Sequence, residues 1–352
     1  MAAPSEGMGV LNAHPFHLQD ERYDVYISHN GWFDKFEMNK TLGLGSVKNM
    51  NDTETFLKLV MAQNGFIEDR VRAALDISKE NGYIKGGANI YVVATERYLH
   101  NLLCHSMCRM VLLWGDFTPE FEPIFKSLAD VAEDDPLAKK KPVSHGDGWG
   151  LLNLYKEGLE LKRYGTPLTL RVPTPRVENG VAIVHVRLAA PSEGKGVLNA
   201  HPFHLQDERY DVYISHNGWF DKFEMNKTLG LGSVKNMNDT ETFLKLVMAQ
   251  NGSIEDRVRA ALDTSKEKGY IKGGANIYVV ATERETNATH VIYHSDVAPG
   301  KDYTEYEKLF LLSGSNWNGV ISSSLKESKF FPKGVNIKEI ERGRIQGTVV
   351  KV

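Results

Sequence analysis

Met107-Cys108-Arg109-Met110-Val111-Leu112-Leu113-Trp114-Gly115 reads like the opening of a protein, although it stands almost a third of the way along the chain. A Met precedes a Cys, and the Cys opens a short apolar run of strand character. Removing residues 1–107 leaves a Cys that carries both its thiol and a free α-amine. A thiol titrates near ~8.5 and an α-amine near ~7.7–8.0, so at neutral pH part of the amine is unprotonated and can take the thiol proton. In the intact chain the same nitrogen is a peptide amide, its lone pair delocalised into the carbonyl, and it cannot act as a base. The plain alternative for Cys108 is a small buried hydrophobe. The residues that follow it favour the chemical reading.

The chain has 352 residues, 41% hydrophobic and 25% charged, with a formal net charge of −3. That is ordinary globular composition with room for one large or two modest cores. The bulk charge points to neither nucleic acid nor membrane. No run of about eighteen apolar residues is present, and Met1-Ala2-Ala3-Pro4-Ser5-Glu6-Gly7 lacks the basic and apolar regions of a signal peptide, so a cytoplasmic protein is expected. Cys104 and Cys108, the only cysteines, suggest no disulfide framework. With His100 on the same helical face they could hold a metal, but the spacing fits no standard zinc module, and neither metal nor cofactor is expected.

The chain contains a near-perfect repeat. Ala2–Arg97 recurs as Ala189–Arg284 at a constant offset, with four differences, Met8/Lys195, Phe66/Ser253, Ile77/Thr264 and Asn81/Lys268. Solenoid repeats diverge while keeping their packing positions, whereas here surface and core positions alike are copied, which points to a recent duplication. The chain is therefore divided into 1–97, a partial duplicate of 188–284; a junction, 98–106, without counterpart; and a complete domain, 107–352. Half a domain exposes its core, and the partial copy is expected to be no second enzyme.

Within 107–352, Thr118-Pro119 predicts a helix start, with apolar residues at helical spacing through Val131 and a stop at Asp134-Asp135-Pro136. Lys139–Lys141 reads as a solvated loop. Asn238-Asp239-Thr240-Glu241 predicts a capping box for a helix ending at Met248, and a second helix covers about Ser253–Lys268. Strands are predicted at Leu151–Tyr155, Val181–Leu188, Asp211–Ser215, Ala275–Ala281, His290–Tyr293, Lys308–Leu312, Gly319–Ser323 and Ile345–Val350. This order suits two sheets between helical layers better than an alternating parallel fold.

Five clusters end strand-like runs or start a helix: Cys108; His145-Gly146-Asp147-Gly148-Trp149-Gly150; His185-Val186-Arg187; Asn199-Ala200-His201-Pro202-Phe203; and Ser215-His216-Asn217-Gly218 with Asn238-Asp239-Thr240-Glu241. A nucleophilic thiol needs donors for an oxyanion, which an Asn amide beside a Gly can supply. An Arg and an Asp in one pocket could grip the α-carboxylate and α-ammonium of an amino acid. Singly, Asn-Gly is a turn signal and a lone His or Arg is structural.

In this order and spacing the motifs resemble the class II glutamine amidotransferases, which are N-terminal-nucleophile hydrolases, and above all the small stand-alone members that begin Met-Cys-Arg and carry Asp-Gly-Trp-Gly. The resemblance covers essentially all of 107–352. It implies an α+β fold, a four-layer αββα sandwich of two mainly antiparallel sheets, with Cys108 at the start of a central strand. By motif it makes Cys108 the nucleophile, its freed amine the base, and Asn217 and Gly218 the oxyanion donors. Arg187 becomes the carboxylate clamp, Asp239 the ammonium partner, and His201 a residue beside the glutamine site. Larger members have Cys-Gly at the start and Arg-Trp-Ala-Thr after the clamp, where this chain has Arg109 and Leu188-Ala189-Ala190. The reaction implied is hydrolysis of a γ-carboxamide through a γ-glutamyl thioester on Cys108, latent until Cys108 is N-terminal. The substrate would be glutamine or a γ-glutamyl amide, with a possible ammonia-accepting synthase subunit. A catalytically dead fusion or binding module is the reading from a different class.

Overall fold

The apolar run after Cys108 forms a strand, Arg109–Gly115, whose first six residues are all buried. A strand with no solvated face belongs inside a stack of layers, and the rest of the fold is built around it. The computed structural model describes residues 14–20, 23–44, 46–48, 50–63, 67–96, 108–138, 143–189, 194–234 and 237–352. The junction 98–106 with His100, Cys104 and His105, as well as Met107 and the Lys139–Lys141 loop, lie outside the described residues.

The chain divides into two compact units, Met1–Asn101 and Leu102–Val352. In the first, β1 (Phe16–Gln19), β2 (Tyr23–Phe33) and β3 (Ile84–Glu96) form an antiparallel sheet, with α1 (Lys35–Leu42), α2 (Asp52–Met61) and α3 (Ile67–Glu80) between β2 and β3. One face of this sheet is buried, its Val25, Ile27 and Phe33 packing with Phe56, Leu57 and Val60 of α2. Tyr91 and Val93 on the other face are 72% and 66% exposed.

The second unit comprises β4 (Arg109–Gly115), α4 (Thr118–Glu133), β5 (Trp149–Tyr155), β6 (Gly158–Tyr164), β7 (Gly180–Val186), β8 (Phe203–Gln206), β9 (Tyr210–Phe220), α5 (Lys222–Leu229), α6 (Asp239–Met248), α7 (Ile254–Glu267), β10 (Ile271–Glu283), β11 (Thr289–His294), β12 (Leu309–Ser313), β13 (Trp317–Ser322), β14 (Asn336–Glu339) and β15 (Gln346–Val350). Seven strands run in the order β14-β12-β13-β4-β7-β5-β6, which puts β4 in the centre, and five run β15-β11-β10-β9-β8. All neighbours in both sheets are antiparallel.

The alternation of side chains along β4 assigns the layers. Val111 and Leu113 pack on Phe121, Phe125 and Leu128 of α4. Met110, Leu112 and Trp114 face the other way, onto Tyr213, Tyr278 and Val280 of the five-stranded sheet. The outer face of that sheet is covered by α5–α7 through Met225, Phe243, Leu244 and Val258. The expected α+β fold, a four-layer αββα sandwich of antiparallel sheets, is therefore the observed one. All residues of these three cores lie within 108–352, so this part of the chain supplies its own interior. Tyr278 and Val280, the equivalents of the exposed Tyr91 and Val93, are fully buried because the seven-stranded sheet covers them. The first unit has the helical layer but no second sheet among its described residues.

Local differences from expectation have local causes. The α4 cap is Phe117 without a side-chain bond, because the Thr118 hydroxyl donates instead to Asn179 Oδ1 at 2.6 Å. At α6, Asn238 accepts from the Thr240 N–H, but a reciprocal capping box forms one helix later, between Ser253 and Asp256. The partial copy has Phe66 where Ser253 stands and cannot make that cap; Phe66 lies outside the described residues. The strand at Val181–Leu188 ends at Val186, since Arg187 turns its backbone to Asp147 and Gly148. Strands β6, β8 and β14 and helix α5 had no periodic signal strong enough to announce them.

Candidate active site

Strand register brings the first residues of the site together. The pairing of β4 with β7 sets Met110 opposite His185 and Arg109 opposite Val186. One step further along, the Cys108 thiol donates to the Leu188 carbonyl, a long contact of 3.8 Å, beside Arg187. Alternation places Cys108 on the same side as Met110, facing the five-stranded sheet. Burial pushes the Cys108 thiol up, the Asp239 carboxylate adds to this, and the Arg187 and Arg109 guanidiniums oppose it. The thiol is thus within electrostatic reach of Arg187 and Asp239, two of the residues singled out in the sequence. The Arg187 guanidinium donates to the Gly194 carbonyl at 2.8 Å.

The end of β9 faces this point. His185 Nε2 donates to the His216 carbonyl at 3.1 Å, which fixes the next residue, Asn217, near the start of β4. Asn217 and its neighbour across the ladder, Asn276, are both fully buried. Asn276 is satisfied, donating to the Glu307 carbonyl at 2.6 Å and accepting from Ser295 Oγ at 2.6 Å. Both polar atoms of the Asn217 carboxamide are buried without a partner among the described residues. Burying an amide unpaired costs about 1–3 kcal/mol, so Asn217 is not there for stability. At Gly218 the chain passes so close to β10 that a Cβ would lie 1.7 Å from the Gly274 carbonyl oxygen, which leaves Gly as the only residue that fits.

Asp239 sits at the start of α6 with one oxygen accepting from the Phe220 N–H at 2.8 Å and the other from the Thr240 N–H at 2.8 Å. In the partial copy Asp52 accepts from the Phe33 N–H in the same way. This bond therefore has a structural job, tying α6 to the end of β9, whatever else the carboxylate does. Burial pushes the Asp239 carboxyl up, against the pull of those N–H groups and of Lys222 and Arg187.

His201 accompanies His185 and His216 in a fully enclosed cluster. His201 and His185 rings lie 4.1 Å apart, and the Thr240 hydroxyl bridges His201 Nε2 at 2.9 Å and His216 Nδ1 at 3.1 Å. His216 Nε2 donates to the Gly274 carbonyl, which leaves its Nδ1 to accept from Thr240 and His201 to donate to that hydroxyl. These contacts give His201 a packing role beside the site. Burial drives His185 down to about 3, His216 to about 4 and His201 well below the usual imidazole value, so all three are neutral at pH 7. Unfolded, each takes a proton near ~6.5, so below that pH the unfolded chain holds more protons and stability falls. The loss is at most about 1.4 kcal/mol per pH unit and histidine between pH 6.5 and 4, with Asp239, whose shift is opposite in sign, offsetting part of it. Thermal melts of the full chain should move down between pH 7 and 4.5, and His216→Gln should flatten the slope. A melt independent of pH over that range would contradict the neutral cluster.

The Asp-Gly-Trp-Gly stretch shapes the site from the side. The Asp147 carboxylate accepts from the Ala189 N–H at 2.9 Å and pairs with Lys195 at 2.6 Å. A Cβ at Gly150 would lie 2.0 Å from the His201 carbonyl oxygen. A cluster not anticipated from the sequence lies on the α4 side of Cys108, where Arg109, fully buried, pairs with Asp135 at 2.7 Å and Asp135 with His145 at 3.0 Å. Its signal was a lone charge in an apolar strand, which must find a counter-ion. Asp135 is legible in sequence only as a helix stop. Among the described residues no group of three or more His, Cys, Asp or Glu could hold a metal, and no helix is long and apolar enough to cross a membrane.

Solved structures with a similar course of chain include an allosteric regulatory enzyme of purine biosynthesis, 18% identical with a TM-score of 0.49 over 68% of this chain and 46% of its own. The glutamine phosphoribosylpyrophosphate amidotransferase of B. subtilis, complexed with ADP and GMP, is 16% identical with a TM-score of 0.48 over 69% of this chain and 49% of its own. A predicted glutamine amidotransferase from Pseudomonas aeruginosa PA01 is 13% identical with a TM-score of 0.35, covering 70% of this chain and all of its own. This chain spans about half the length of the first two. No protein-family model and no curated protein matches it.

Proposed function

We propose that the 107–352 part of the chain is a class II glutamine amidotransferase-like amidohydrolase that acts once Cys108 is N-terminal. The observation that carries this is the unpartnered Asn217 carboxamide, fully buried close to the start of β4, where the Cys108 thiol also meets the charges of Arg187 and Asp239. A thiol, a donor without a partner, one cation and one anion are the groups that hydrolysis of an amino-acid side-chain amide requires.

In this mechanism the free α-amine of Cys108 takes the thiol proton, and the thiolate attacks the γ-carbonyl carbon. The tetrahedral oxyanion accepts hydrogen bonds from Asn217 Nδ2 and from the Gly218 N–H. The protonated amine returns its proton to the leaving ammonia, and a γ-glutamyl thioester remains on Cys108. Water, deprotonated by the same amine, hydrolyses that thioester to glutamate. Arg187 binds the substrate carboxylate, exchanging its bond to the Gly194 carbonyl for a charge-assisted one. Asp239 binds the ammonium through lone pairs its two backbone bonds leave free. Ammonia is either released or passed to a partner synthase subunit. The substrate is glutamine or a γ-glutamyl amide, and no cofactor takes part in these steps.

The test is glutamate release from glutamine by the chain begun at Cys108. Cys108→Ala should abolish it, while Arg187→Lys or Asp239→Asn should chiefly raise KM. Full activity in Cys108→Ala would remove the nucleophile assignment. Intact Cys108 with no turnover on glutamine or γ-glutamyl amides would leave a binding module.

A further inference from the structure

The side of β4 away from the other sheet holds an arrangement the reaction above does not use. On the β13 side, strand pairing runs from Gly115 with Trp317 to Val111 with Ile321. From there toward Cys108 side chains take over from the ladder. Ser322 Oγ accepts from the Met110 N–H at 3.1 Å, and Arg109 Nη1 donates to the Cys108 carbonyl at 3.1 Å. Two nitrogens of the Arg109 guanidinium are held by polar groups, while Nη2 is buried without a hydrogen-bond partner among the described residues. Nε reaches Ser324 Oγ at 2.9 Å and Asp135 Oδ2 at 2.7 Å, and the Tyr306 ring lies 3.8 Å from its carbon. Asp135 is held in turn by His145 Nε2 at 3.0 Å.

We infer that Arg109 is a positioning residue for the Cys108 nucleophile, clamping the Cys108 carbonyl so that its thiol and amine point into the site. The inference rests on the reading of Cys108 as nucleophile. A strand-end residue without a ladder partner frays, and a nucleophile that also carries its own base has no other covalent tether once the preceding chain is gone. A buried ion pair is rarely an efficient source of stability, since apolar residues of the same volume often do as well. The geometry of a three-way fork is what apolar residues cannot supply. Lysine, a point charge, cannot reach Ser324, Asp135 and the Cys108 carbonyl together. Burial and the neighbouring Arg109 hold His145 down and neutral, and Asp135 is ionised because His145 and Arg109 outweigh its own burial, so the guanidinium is neutralised without moving off the carbonyl.

Arg109→Met alone strands the Asp135 charge and is expected to unfold readily. The informative protein is Arg109→Met with Asp135→Asn, which removes both charges and restores the melting temperature. If Arg109 only stabilises, this double variant regains parental kinetics. If it positions, kcat for glutamine in the chain begun at Cys108 stays about 10- to 10²-fold low at unchanged KM. Independently of turnover, amide hydrogen exchange over residues 108–113 in the chain begun at Cys108 should quicken in the double variant, because the hydrogen bond that holds the Cys108 carbonyl at the strand end is lost. A double variant with the parental kcat and exchange rate overturns the inference. A parent without glutaminase activity overturns the proposed function instead, and the exchange rate then decides on Arg109.

Discussion

A chain that begins at Cys108 should release glutamate from glutamine about 10²- to 10⁴-fold faster than the same chain with residues 1–107 attached. The thiol, Asn217, Arg187 and Asp239 are common to both. What differs is one nitrogen, which is an amine in the first and an amide in the second. The amide cannot accept the thiol proton. Burial pushes the Cys108 thiol up, so without a base the thiolate is scarce at pH 7. Intact mass establishes which form is present, and glutamate release at matched concentration gives the ratio. Equal rates from a chain still bearing Met1 would show that the free α-amine is not needed.

Replacing Asn217 by Leu separates stability from catalysis. The carboxamide makes no hydrogen bond to any described residue, so Leu, of similar shape, orphans no partner there and relieves the cost of burying an unpaired amide. The melting temperature should hold or rise. Turnover should fall about 10²- to 10³-fold, the usual consequence of removing an oxyanion donor, with KM little changed. Loss of function from gain of stability is the signature of a site residue. A folded Asn217→Leu protein with parental kcat would mean that the oxyanion is held elsewhere. The same change at Asn276 should give the opposite pattern, because it takes the donor from the Glu307 carbonyl and leaves the Ser295 hydroxyl only its bond to Tyr303.

The layered fold was legible in the sequence because period-two and period-3.6 patterns are set by which face is buried, and burial is a property each residue type carries locally. The run Met110–Trp114 announced a strand with no wet face, and Phe121–Val131 a helix with one. The repeat was equally legible, yet its sequence could not distinguish a buried sheet from an exposed one. Tyr91 and Tyr278 are the same residue in the same strand, and only the presence of a second sheet makes one exposed and the other enclosed.

The candidate site divides in the same way. Its residue types and order, Cys108, Arg187, His201, Asn217, Gly218 and Asp239, stood in the chain. That Asn217 lacks partners while Asn276 has them could not be read there, because two asparagines in one ladder differ only by what the opposite layer offers. Nor could the ties of Arg109 to Asp135 and Ser324, which depend on a helix end and a turn 215 residues downstream in sequence. Local pattern encodes which side of an element is inside. Which polar groups meet there is decided by register and layer stacking, and those exist only once the sheets have packed.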